Sequence, residues 1–100
     1  MTAAANAITP ESVGTFNVRT AAGTDFIVEL TEEGRYATRK PGMRKPDGHS
    51  EPSRLPGDFT RLILDDFSEV TVGKPALFPL VVDDQVRLVQ TAPITIIEEL

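Results

Sequence analysis

The 100-residue chain has no cysteine and no tryptophan, a single tyrosine and a single histidine. Without cysteine there is no disulfide framework, no thiolate zinc site and no sulfur nucleophile. The lone histidine, His49, stands between Asp47 and Glu51. One imidazole with two flexible carboxylates is a weak metal site. Asp47, His49 and Ser50 are the residue types of a hydrolytic triad. They lie within four positions of each other in a Pro/Gly-rich stretch, whereas a triad is assembled from distant segments on a rigid scaffold. Long apolar runs are also missing, and none approaches the ~18–20 residues of a membrane-spanning helix. The start, MTAAANAITPES, lacks the basic and apolar regions of a signal peptide. The expectation is a soluble, intracellular protein that is not an enzyme and that uses no cofactor, metal or membrane.

What is present suits one small folded domain. The content is 40% apolar and 25% charged, and a chain of this length can bury a core without disulfides. The densest apolar stretch is Val70–Ile97, broken at Gly73-Lys74-Pro75, Asp83-Asp84-Gln85 and Ala92-Pro93. It reads as a run of short strands around which the rest of the chain is organised.

Taken in order, residues 1–12 are small and polar without periodicity and read as a flexible tail. Residues 13–20, 24–31 and 35–40 alternate apolar and polar, as half-buried strands do. They are joined by Ala21-Ala22-Gly23 and Glu32-Glu33-Gly34, where a terminal glycine suits the left-handed position of a three-residue hairpin loop. These three segments form a meander. Residues 41–58 hold four prolines and three glycines, which exclude a helix and a central strand. This stretch reads as an extended loop or arm. Residues 59–67 return to strand, and Leu62-Ile63-Leu64 fits a strand covered on both faces or one crossing a barrel seam. Val70–Val72 and Leu77–Val82 follow, with Pro79 marking an edge or a bulge.

A three-residue loop Asp83-Asp84-Gln85 would set Val82 opposite Val86, Leu80 opposite Leu88 and Phe78 opposite Gln90. That register gathers the large apolar groups on one face and makes Leu80 and Leu88 core residues. Thr95-Ile96-Ile97 would close the sheet against the first strand. The fold expected is all-β: a small antiparallel barrel or sandwich, SH3-like in shape, with about seven short strands. Its domain spans 13–100 and carries the 41–58 loop.

The net charge of −5 is unevenly spread. Residues 35–61 carry a surplus of four positive charges and the remainder a net −9. Arg35, Tyr36, Arg39, Lys40, Arg44, Lys45, His49 and Arg54 are therefore the candidate partner-binding residues. The plainer alternative is a solvated loop whose cations pair with the domain's own acids. Nucleic acid is an unfavoured partner, given the acidic chain, the absence of Trp and the absence of an RNP-type motif. Of the acidic pairs, Asp83-Asp84 reads as turn chemistry, Glu98-Glu99 as a solvated end, and Asp65-Asp66 as a bulge or loop.

Gly23-Thr24, Thr38-Arg39-Lys40-Pro41-Gly42, Val72-Gly73-Lys74-Pro75 and Thr91-Ala92-Pro93-Ile94-Thr95-Ile96-Ile97 resemble segments of small β proteins encoded by actinobacteria and their bacteriophages. The resemblance implies a non-enzymatic accessory or structural protein, such as a virion component, and brings no catalytic residues with it. The functional expectation is a protein-interaction or assembly module in a homo- or hetero-oligomer, whose tail and 41–58 arm dock on partner subunits. The alternative is a small regulator or inhibitor that binds a host protein or nucleic acid through the basic 35–61 segment.

Overall fold

The computed structural model describes residues 3–46, 48 and 53–100. Nine strands account for its regular structure: β1 (Ala3–Ala5), β2 (Ala7–Ile8), β3 (Gly14–Thr20), β4 (Asp25–Leu30), β5 (Arg35–Lys40), β6 (Arg61–Ile63), β7 (Val70–Thr71), β8 (Pro75–Val82) and β9 (Gln85–Glu99). Among the described residues, no helix is long and apolar enough to cross a membrane.

The meander is built as the alternation expects. Phe16 and Val18 of β3 lie opposite Val28 and Phe26 of β4, and Val28 lies opposite Ala37 of β5. Those five side chains, with Leu30, are buried on one face. Gly23 closes the β3–β4 loop at φ +84°, and its N–H donates to the Thr20 carbonyl at 3.1 Å. The β4–β5 connection differs from expectation. Thr31 pairs with Gly34 around the two-residue loop Glu32-Glu33, and Gly34 is not left-handed. The Thr31 hydroxyl accepts from the Gly34 N–H at 3.0 Å, so a side chain closes this turn.

The sheet runs β1-β9-β3-β4-β5-β6, with β8 paired to the first part of β9, and every strand pair is antiparallel. Leu64, just past β6, bridges to Leu80 of β8 and brings the sheet round into a nearly closed barrel. The apolar triplet 62–64 therefore marks the seam. Its residues alternate, with Leu64 buried and Ile63 exposed. Phe26 and Phe78 stack across the interior with ring centroids 4.5 Å apart. As expected, the last strand pairs with β3, setting Ile97 opposite Val18. It does so as the far half of a single long β9 that runs through Pro93.

Two further expectations are corrected. The first concerns residues 1–12, of which 3–12 are described. In place of a flexible tail, β1 pairs with Ile97–Glu99 and β2 pairs with Val70–Thr71. Ile8 is 1% exposed and belongs to the core. One large apolar side chain among small polar neighbours makes no periodic pattern, yet it suffices to anchor a short edge strand.

The second concerns the β8–β9 register. Asp83 and Asp84 both adopt left-handed φ, +52° and +64°, and form a two-residue loop. Positive φ at both central positions is the type I′ geometry, whose twist matches that of paired strands. Val82 therefore lies opposite Gln85, Leu80 opposite Arg87 and Phe78 opposite Val89. Phe78, Leu80 and Val82 remain buried, but Val86 and Leu88 turn to the outer face, where they are 50% and 66% exposed. Leu88 is thus not a core residue. Pro79 lies opposite Leu88. Its carbonyl points away from β9 and accepts from the Asp65 N–H at 2.8 Å, so proline removes no bond from the hairpin.

Candidate functional site

The described ends of the 41–58 loop are tied to the barrel. The Gly23 carbonyl accepts from the N–H groups of Met43 and Arg44, and the Arg44 guanidinium bonds the buried Asp25 carboxylate. At the other end, the Asp58 carboxylate accepts from the Leu55 N–H at 2.8 Å and from Arg39 at 2.6 Å. The Arg39 guanidinium also donates to the Ser53 carbonyl at 3.2 Å, and the Phe59 N–H donates to the Arg39 carbonyl at 2.8 Å. These bonds fix residues 53–59 beside the barrel.

Between this fixed segment and the β8–β9 hairpin lies a cleft of about 320 Å³. Leu55 and Pro56 form one wall, Leu80 and Val82 the other, and Leu62 and Val89 also line it. Arg39 and Asp58 line it as a bonded pair whose side chains are each 8% exposed. A paired guanidinium and carboxylate present little net charge to an occupant. The cleft is thus apolar with a neutralised polar pair, as in pockets that take an apolar group and orient it by a few polar contacts. Arg87 lines it too, is exposed, and has no ion-pair partner among the described residues.

The candidates from the basic segment are distributed rather than gathered. Arg35 pairs with Asp66 and reaches the Phe67 ring, 6.0 Å from its centroid. Tyr36 lies under the Arg61 guanidinium, 3.6 Å from the ring centroid, while Arg61 also bonds Glu29 at 2.9 Å. Arg39 is buried and paired with Asp58, so it offers a neutralised contact inside the cleft rather than an exterior charge. Inward residues of β5 alternate with outward ones, and Arg39 shares the face of the buried Ala37. Arg44 pairs with Asp25. Arg54 is exposed and packs over the Phe59 ring at 4.9 Å. Lys40 is half-buried and Lys45 exposed. His49 lies outside the described residues, together with Asp47, Ser50 and Glu51. Pairing with the domain's own acids is the plainer of the two readings of this segment. It describes four of its seven cations: Arg35, Arg39, Arg44 and Arg61.

Sequence reasoning did not anticipate Leu55, Leu62, Val82, Arg87, Leu88 and Val89 as one surface. The available signal was the pair Asp83-Asp84, since aspartate tolerates positive φ and favours the two-residue loop. That loop sets the register, and the register sends Arg87 to the cleft side and Leu88 to the outer face. No known protein family, characterised protein or solved structure is recognisably similar to this chain.

Proposed function

We propose that this protein is a non-enzymatic protein-interaction and assembly module that binds a partner at the cleft between the β8–β9 hairpin and residues 53–59. The observation that carries this reading is apolar surface on both sides of one projecting hairpin. Leu80 and Val82 line the cleft beneath it, while Leu77, Val86 and Leu88 are exposed on its outer face. Clustered exposed apolar groups mark interaction surfaces more often than isolated ones do. Because residues 3–8 pair within the sheet, our reading assigns the docking role to this hairpin rather than to the N-terminal segment. As part of this proposal we place a component of a larger assembly, such as a virion, ahead of a free regulator. Internal pairing of Arg35, Arg39, Arg44 and Arg61 weighs the same way, because it leaves fewer unpaired cations for docking through the 35–61 segment.

Photo-crosslinking in the source cells tests the proposal. Benzoylphenylalanine at position 88 should give a discrete polypeptide adduct. The same group at position 32, in the β4–β5 loop and outside the cleft, should not. An adduct at neither position, or equal labelling at both, contradicts the proposal.

A further inference from the structure

The first half of β9 has a strand on one side only. β8 pairs with residues 85–90, but β3 takes up β9 only from Ile94 onward. Around a two-residue loop, hydrogen-bonded and non-bonded pairs alternate from the loop outward. Val82–Gln85, Leu80–Arg87 and Phe78–Val89 are then the bonded pairs. Val81–Val86 and Pro79–Leu88 are the non-bonded ones. The outward-pointing Pro79 carbonyl, bonded to the Asp65 N–H, fixes this phase independently. The N–H and C=O groups of Val86, Leu88 and Gln90 therefore point away from β8. Among the described residues, no backbone or side-chain group bonds them.

Folded proteins protect such edges with charges, prolines, bulges or a covering segment. This edge has one charge, Arg87, and a bulge beyond Gln90, and it also carries two exposed aliphatic residues, Val86 and Leu88. It also runs beside the 320 Å³ cleft, which Arg87, Leu88 and Val89 help to line.

We propose that this edge captures an extended segment of a partner protein as an added strand, with one large apolar side chain seated in the cleft and a carboxylate near Arg87. The inference rests on the interaction reading above and specifies its mode. A strand laid along β9 would bond Val86, Leu88 and Gln90, the main-chain part of β-strand addition. Its alternate side chains would fall on the face shared by Arg87 and Val89, above the cleft, which supplies the side-chain part. Charge decides between an acidic segment and a second copy of this chain. Antiparallel self-pairing centred on Leu88 would bring two Arg87 side chains onto one face with no acid between them. A partner carboxylate would instead meet Arg87, which has no ion-pair partner among the described residues.

The test is selection of a displayed random heptapeptide library on the full chain, followed by titration of the synthesised winner. Winners should alternate, carry a large apolar residue at an inward position and include an acidic residue. N-methylation of the winner's edge-facing amides should weaken binding at least about tenfold, and methylation of the intervening amides should not. Leu88→Pro removes one edge donor without touching a hairpin bond and should weaken binding similarly, while Leu88→Thr should retain it. The peptide arm needs no protein variant, so it stands if Leu88→Pro fails to fold. Three outcomes overturn the inference: no enrichment, binding indifferent to both sets of methylations, or a dimer of the chain that Leu88→Pro disperses. An adduct at position 88 combined with indifference to edge methylation would leave the interaction reading standing and remove strand addition alone.

Discussion

Asp58→Ala should cost about 3–5 kcal/mol of folding stability, as breaking one member of a buried ion pair does. Arg39 sits on the inward face of β5, opposite Phe26, with its side chain 8% exposed. Without Asp58, the guanidinium keeps only the Ser53 carbonyl among its described partners. The Leu55 N–H loses its acceptor as well, so the wall of the cleft loosens together with the pair. The expensive state is the unpaired charge rather than the missing bond. Arg39→Met combined with Asp58→Leu should therefore hold stability much closer to that of the parent chain. Urea unfolding of the two variants separates the cases. A cost below about 1 kcal/mol for Asp58→Ala would mean that water screens this pair as it screens surface pairs.

Leu80→Ala should cost about 2–5 kcal/mol, the range for a large-to-small change in a core. Leu80 is 2% exposed, bridges to Leu64 at the barrel seam and lines the cleft. Leu88→Ala should cost under about 0.5 kcal/mol, because it removes a side chain already 66% exposed. The contrast discriminates between registers. With a three-residue loop at 83–85 the two leucines would face each other, and both truncations would be costly. With the two-residue loop they are one step out of phase and lie on opposite faces.

The parts of the fold legible in the sequence share a physical basis. Alternation over β3, β4 and β5 specifies which side chains point inward, and Gly23 supplies a left-handed residue where the first loop needs one. The closing of β9 on β3 follows from Ile94 and Ile97 needing an apolar face. The β8–β9 register was not legible, because burial and loop geometry favour different answers there. Pattern alone prefers the register that hides Leu88, whereas two aspartates in left-handed conformation impose the one that exposes it. The cleft depended on that choice and was hidden with it. The Arg39–Asp58 pair joins residues nineteen apart across a Pro/Gly-rich segment. No local period reports such a contact. Ile8, alone among small residues, likewise gave no pattern from which β2 could be read.

Among the described residues, β9 presents an open edge at Val86, Leu88 and Gln90 beside an apolar cleft. Amide hydrogen exchange, resolved residue by residue in the free protein, tests it most directly. Exchange should alternate: slow at Gln85, Arg87 and Val89, which bond β8, and fast at Val86, Leu88 and Gln90. Uniform protection across 85–90 would mean that the edge is already covered, and protection of Val86 and Leu88 with fast exchange at Arg87 would mean the other register. Either result would contradict the account.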